Sequence, residues 1–226
     1  MAGIITGKQY GVSKETGLLA VKVLNSEGSG SEIAIISGIE YAFDQHCHIA
    51  NMSLGSEYAS KAFEDICRYV TSHGMLLVAA SGNNGDSRPI YPASFEPVIA
   101  VAAVDHDNKH ADFSNIYETN DISAPGVDIV SCYLDGYASL SGTSMASPHV
   151  TGALSLALSA LKKELSVEDI LERTALPLES DSSRYDDSWV FGAGLLRADR
   201  LVEQVLYSRK VSSLINKSFW ERLMEM

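Results

Sequence analysis

The chain has 226 residues, of which 46% are hydrophobic and 20% charged, a composition typical of one globular domain with a buried core. No run of about 18 apolar residues occurs, and the first residues lack a signal-peptide pattern, so no membrane helix or leader is predicted and the compartment stays unknown. The net charge of -12, without a Lys/Arg cluster, argues against a nucleic-acid partner. Three widely spaced cysteines predict neither a disulfide scaffold nor a zinc site.

Short apolar segments alternate with amphipathic segments through the first half of the chain. The segments with strand character are 18–24, 49–54, 75–80 and 97–104. Helical spacing covers 33–45 and 59–72, and Gly74 closes the second helix. This alternation predicts an α/β fold in which a mostly parallel sheet lies between two layers of helices.

The second half of the chain is less regular. Residues 122–126 read as a turn, and a hairpin is predicted around Asp135-Gly136. Residues 142–164 form a long helix that is apolar nearly all round and therefore buried. A further helix follows Ser166 as N-cap, and a last core helix ends near residue 206. We predict one domain over 1–206 and a helical tail over 207–226.

The segment SLSGTSMASPHV places Ser144 at the start of the buried helix. A helix N-terminus offers free backbone N–H groups and a partial positive charge, which can stabilise an oxyanion formed when a serine attacks a carbonyl. Gly142 permits close approach of a substrate. Pro148 is expected in the first turn, where its missing N–H has no consequence. An ordinary helix cap remains the alternative interpretation of these residues.

Asn83 follows a predicted buried strand in the segment VAASGNNG. Its side-chain amide can donate a second hydrogen bond to an oxyanion, at a position expected to be shielded from water. A simple Asn/Gly-rich turn is the alternative.

The segments NMSLGS, AASGN and GTSMASPHV, in this order, resemble the subtilisin-like serine proteases, and the resemblance extends over residues 2–205. It implies a serine endopeptidase in which Ser144 is the nucleophile and Asn83, with the Ser144 N–H, forms the oxyanion hole. It also implies that a peptide or protein substrate lies as a strand between two segments of the chain. These segments are Gly28-Ser29-Gly30 and Ser53-Leu54-Gly55.

The resemblance also implies a primary specificity pocket, with Ala80, Ser81 and Gly82 in its wall. Ile90 stands where subtilisins often have glycine, at the floor of this pocket. A branched side chain at this position makes the pocket shallower. We therefore hypothesise a preference for small or medium apolar side chains on the substrate.

The catalytic Asp and His of the family are not found at matching positions. Met1-Ala2-Gly3 matches the end of an HGTHMAG motif, so the sequence starts just past the expected His, and the Asp-bearing strand is absent too. None of the six histidines is expected to serve as general base. The expectation is a chain that is nearly inert alone and that completes its site with a missing N-terminal segment.

Residues 3–12 are shorter than the calcium-binding loop of secreted subtilisins and contain no Asp or Asn. A strong calcium site is therefore not expected there, and no other cofactor is predicted. A weaker calcium site elsewhere stays open.

The two alternative functions are a pseudoprotease and a nucleotide-binding protein. A pseudoprotease would bind peptides along the Ser29 and Ser53 segments without reacting at Ser144. A nucleotide-binding protein is disfavoured, because GIITGK has three residues between its glycines and Gln9 after the lysine, where a phosphate-binding loop needs four residues and a Ser or Thr.

Overall fold

The computed structural model describes residues 1–160, 167–180 and 184–207. Its helices are α1 (Ala2–Thr6), α2 (Glu32–Asp44), α3 (Lys61–Ser72), α4 (Thr143–Ala160), α5 (Val167–Thr174) and α6 (Asp187–Phe191). Residues 198–207 are also helical. The strands are β1 (Ile49–Met52), β2 (Leu76–Ala80), β3 (Ile99–Val104), β4 (Ile122–Pro125), β5 (Ile129–Tyr133) and β6 (Gly136–Leu140).

Four parallel strands form the central sheet in the order β1-β2-β3-β4, and β5 and β6 form a separate antiparallel hairpin. Side chains of successive strand residues point to opposite faces. In β2, Val78 therefore packs toward α4, whereas Leu77 and Ala79 pack toward α3. Both faces of the sheet are covered, which confirms the predicted three-layer α/β architecture.

The caps of the helices agree with local sequence chemistry. Ser31 and Ser60 are the N-caps of α2 and α3, and each side chain accepts a hydrogen bond from a backbone N–H three residues ahead. Gly74 has φ +92° just past α3, as expected for a residue that ends a helix. Helix α4 is buried at Ala146, Val150 and the following core positions Ala153, Leu154 and Ala157.

The prediction of a turn at 122–126 was wrong, because β4 is the fourth parallel strand. Its pattern was disguised by Ser123, whose side chain is fully buried. Ser123 Oγ donates to the carbonyl of Phe191 at 3.1 Å, so the hydroxyl can lie in the core without losing a hydrogen bond.

The prediction of a buried strand at 18–24 was also wrong. The segment is irregular, and Leu18 and Leu19 are 51% and 40% exposed. A strand requires a hydrogen-bonded neighbour, and none of the described strands pairs with this segment. Val21 and Val23 instead lie against Gly38 of α2.

The predicted hairpin is confirmed, with Leu134-Asp135 as its two-residue turn. Cys67 is buried and Cys132 exposed on β5. The Ser166 cap and residues 208–226 of the tail lie outside the described residues. The division at residue 206 stays a prediction. Within the described ranges, no helix combines the length and the apolar character needed to cross a bilayer.

Candidate active site

Ser144 is the second residue of α4, and it is half-buried at the end of the helix nearest the hairpin. Gly142 precedes the helix with φ +153°, a conformation that favours glycine. Its carbonyl accepts the N–H of Met145 at 2.9 Å and that of Ala146 at 3.3 Å. The backbone N–H of Ser144 has no acceptor among the described residues, so it is free to bind a ligand.

Asn83 lies beside this free N–H, in the loop after β2. Its Oδ1 accepts two hydrogen bonds from the buried Thr143, from the backbone N at 2.8 Å and from Oγ1 at 3.0 Å. These bonds fix the orientation of the amide and leave Nδ2 without an acceptor in the described part of the chain. The Asn83 side chain is exposed rather than shielded from water, because no part of the described chain covers it.

The loop that carries Asn83 is held by Asn115, a residue for which no function is predicted from the sequence. Asn115 is fully buried, and its Oδ1 accepts the N–H of Asn84 at 2.8 Å. Its own N–H donates to the carbonyl of Gly82 at 3.1 Å, and Nδ2 donates to Arg88 at 3.4 Å. One buried amide thus secures both sides of Asn83. The signal that could have identified it is the tripeptide Phe113-Ser114-Asn115, which belongs to the resemblance to the subtilisin-like proteases.

The sequence predicts Pro148 in the first turn of the helix, and this prediction was wrong. Helix α4 begins at Thr143, so Pro148 is an interior residue. An interior proline removes the hydrogen bond to the carbonyl four residues earlier, which here is that of Ser144. The hydroxyl of Ser53 donates to this carbonyl at 3.2 Å instead.

The two predicted substrate segments occupy different settings. Gly28, Ser29 and Gly30 form an exposed turn, in which Asn25 Oδ1 accepts the N–H of Ser29 at 3.0 Å. Ser53 and Leu54 are half-buried directly after β1, and Gly55 is exposed. Beyond the two segments, Glu32 Oε2 accepts the N–H of Ser60 at 3.0 Å, which ties α2 to α3.

The predicted pocket residues converge on Ile90. A Cβ on Gly55 would overlap Ile90 Cγ2, and a Cβ on Gly82 would lie 2.9 Å from Ile90 Cγ1. Ile90 is only 8% exposed, so its side chain fills the space between these glycines. Ala80 and Ser81 are buried at the end of β2, and the Ser81 hydroxyl has no partner in the described chain.

No His, Asp or Glu that could act as a general base contacts Ser144 among the described residues. Ser144 Oγ has no hydrogen bond to a described His, Asp or Glu. His149 Nδ1 instead lies 2.8 Å from the Met145 carbonyl, and burial lowers the pKa of this imidazole. His46 and His48 precede β1, at the opposite end of the sheet from Ser144.

One group of metal-ligating side chains occurs in the described ranges, formed by Asp105, His106 and Asp107. The Asp105 carboxylate already accepts the N–H groups of Asp107 and Lys109, each at 2.9 Å, so it organises a turn. We therefore assign no metal site to this turn.

A mostly parallel sheet, a serine at the start of a buried helix and two unpartnered donors beside it define a protease domain of the subtilisin-like class. The model of the Subtilase family matches residues 1–194, and the chain belongs to this family of serine proteases.

Known relatives support this assignment. Subtilisin DY of Bacillus licheniformis is 41% identical over 194 residues, which cover 84% of this chain and 69% of the relative. Subtilisin Savinase of Lederbergia lenta is 41% identical over 192 residues, with the same coverage of 84% and 69%. The structure of the self-cleaved protease domain of PatA matches at a TM-score of 0.79 and 30% identity, covering 90% of this chain and 81% of that domain.

Proposed function

We propose that this chain supplies the nucleophile and the oxyanion hole of a serine endopeptidase. Ser144 Oγ attacks the scissile carbonyl, and the developing oxyanion accepts hydrogen bonds from the Ser144 N–H and Asn83 Nδ2. The observation that carries this proposal is that Thr143 occupies the oxygen of the Asn83 amide and so leaves the nitrogen free. Donors held in place before the reaction stabilise a transition state without reorganisation.

The attack requires a base that accepts the Ser144 proton, and the described chain offers none at this position. We propose that the missing Asp and His come from a segment that is not among these residues. The 226 residues alone are then nearly inert. In subtilisin itself, loss of the catalytic His lowers turnover by roughly 10⁶-fold, and we expect an effect of the same order in this chain. Acyl transfer by this route needs no metal or other cofactor.

We further propose that the substrate is a peptide or protein that pairs with the main chain of Gly28-Ser29-Gly30 and Ser53-Leu54-Gly55. The side chain before the scissile bond would enter the pocket beside Gly55 and Gly82. Because Ile90 fills the space between these glycines, the pocket is suited to small or medium apolar side chains.

A fluorophosphonate probe, which phosphonylates activated serines, tests the proposal. The purified chain is treated with the probe alone and with the segment of Subtilisin DY that carries the Asp and His. We expect labelling only with the segment added, and none in Ser144→Ala under either condition. Labelling at Ser144 of the chain alone would contradict the claim that no base is present.

The missing base is also the observation that favours a pseudoprotease. Under that alternative, the added segment restores no labelling although the chain binds peptides. Peptide binding measured by calorimetry, together with the labelling result, separates the two functions.

A further inference from the structure

The carbonyl of Ser144 is an unusual point in helix α4. In a regular helix this oxygen accepts the N–H of the residue four positions later, but that residue is Pro148, which has no N–H. A buried carbonyl without a donor is costly. A hydrogen bond from outside the helix can therefore take the place of the one that Pro148 cannot make.

Ser53, just past β1, provides that bond. Its Oγ donates to the Ser144 carbonyl at 3.2 Å, and it receives a hydrogen bond from Asn51 Nδ2 at 3.0 Å. The hydroxyl of Ser147 lies 3.0 Å away and can donate to the remaining lone pair. With both lone pairs of Ser53 occupied by donors, the only proton of its hydroxyl points to Ser144.

The direction of this chain of bonds is set by Thr151. This residue is 4% exposed, and its Oγ1 donates to Asn51 Oδ1 at 3.0 Å. The contact of the same hydroxyl with the Ser147 carbonyl is longer, at 3.2 Å. Because the Asn51 oxygen faces Thr151, the nitrogen of the same amide faces Ser53. Thr151 therefore determines which way the Ser53 proton points, through three successive hydrogen bonds that end at the Ser144 carbonyl.

We propose that Asn51 and Thr151 are positioning residues, which hold the Ser144–Met145 peptide unit in place through the Ser53 hydroxyl. The catalytic meaning of this inference rests on the proposed function. Ser53 is also the first residue of a proposed substrate segment. The same bonds thus connect the strand that would hold the peptide to the backbone of the serine that would cleave it.

The Ser144 carbonyl can be observed directly. Ser144-Met145 is the only Ser-Met dipeptide in the sequence. Labelling serine with ¹³C at the carbonyl and methionine with ¹⁵N therefore gives one cross-peak in an HNCO spectrum of the full chain. A carbonyl carbon moves upfield when its oxygen loses a hydrogen bond, so this resonance reports the Ser53 bond without any need for catalysis.

Two substitutions break the chain of bonds at different points. In Asn51→Asp the carboxylate can only accept, so the Ser53 proton turns toward it and leaves Ser144. Thr151→Val removes the hydroxyl at similar volume, whereas Thr151→Ser keeps it. Asn108→Asp, on an exposed turn, controls for the added charge, and Thr174→Val controls for loss of a buried hydroxyl that bonds within a helix.

We expect an upfield shift in Asn51→Asp and Thr151→Val, and the wild-type resonance in Thr151→Ser and both controls. In the chain with the Asp/His segment added, the rate of fluorophosphonate labelling should fall about three- to tenfold in the two shifted variants alone. An unmoved resonance in the folded variants would overturn the inference, and so would a moved resonance with an unchanged labelling rate. Failure of the wild type to label contradicts the proposed function only, since the resonance still tests the bonds.

Discussion

The two edges of the central sheet differ in how fully their backbone groups are hydrogen-bonded. Beyond β4, the backbone of residues 194–196 continues the hydrogen bonding, since Ser123 donates to the Gly194 carbonyl at 2.9 Å and accepts from Leu196 at 2.8 Å. Beyond β1, none of the described strands pairs with the sheet.

This difference separates the chemistry of the site into two parts. Ser144 and Asn83, the proposed nucleophile and oxyanion donor, are supported by β2, α4 and the Asn115 loop, all of which are packed and hydrogen-bonded. By contrast, the edge of the sheet at β1, the open side, is unpaired among the described strands, and the proposed Asp and His would come from outside the described residues. An unpaired edge is a template for another strand, so the open side is where a complementing segment would pair.

The largest effect is expected from Asn83→Ala, in the hydrogen-bonded part of the site. In the chain with the Asp/His segment added, we expect kcat for a peptide amide to fall by about 10²–10³-fold, the range found for loss of this type of donor in subtilisin. Asn84→Ala, which removes a neighbouring exposed side chain, serves as control. A raised KM with kcat unchanged would show that Asn83 binds substrate without stabilising the oxyanion.

Ile90→Gly tests the floor of the proposed specificity pocket. Removing the branched side chain opens the pocket, so we expect the rate with a phenylalanine side chain to rise about 10- to 100-fold relative to alanine. Peptidyl phosphonates carrying each side chain measure this ratio at Ser144 in the complemented chain. Ile90→Val keeps the branch and should keep the wild-type ratio. A wild-type chain that already prefers phenylalanine would refute the shallow pocket.

Leu19→Lys tests a separate exposed apolar segment, formed by Leu18 and Leu19. If the exposed apolar segment promotes association of the isolated chain, an added charge should weaken it by about tenfold, as loss of a partly buried leucine contact would. Sedimentation velocity measures the dissociation constant. Leu134→Lys is the matched control, because Leu134 is 89% exposed at the hairpin tip. Equal effects of the two substitutions would show that Leu18 and Leu19 have no special part in association.

The smallest effect is expected from pH. Burial lowers the pKa of His149 and His110 below the ordinary value of 6.5, so the unfolded chain binds protons more readily than the folded chain. The contribution of the two neutral histidines to the free energy of unfolding is full above pH 6.5. It declines as the pH falls from 6.5 through their lowered pKa values. Urea unfolding from pH 7.5 to 5 should show this decline, and His149→Gln should make it shallower. An unchanged slope, with exposed His106→Gln as reference, would exclude His149 as a source.

Local patterns in the sequence predicted the elements that their own residues determine. The apolar run of β2, the cap and closing glycine of α3, and the motif around Ser144 all fall in this group. The errors arose where a distant partner decides. Ser123 belongs to a strand because β4 pairs with β3, and its buried hydroxyl is satisfied by the Phe191 carbonyl. Residues 18–24 have no strand partner among the described strands. The bond from Ser53 to Ser144 joins residues 91 positions apart, so no local pattern contains it.

The distribution of thiols has a practical consequence. Burial raises the pKa of Cys67 to about 12, so this thiol should be unreactive toward maleimides at neutral pH. Cys132 is exposed on the hairpin that leads to the nucleophile, and its Cβ would lie 3.0 Å from a Cβ placed on Gly3. With the half-buried Cys47 replaced by serine, a dye on Cys132 would stand beside residues 1–3. Its fluorescence could then follow the docking of an added segment in real time, with Ser144 left unmodified.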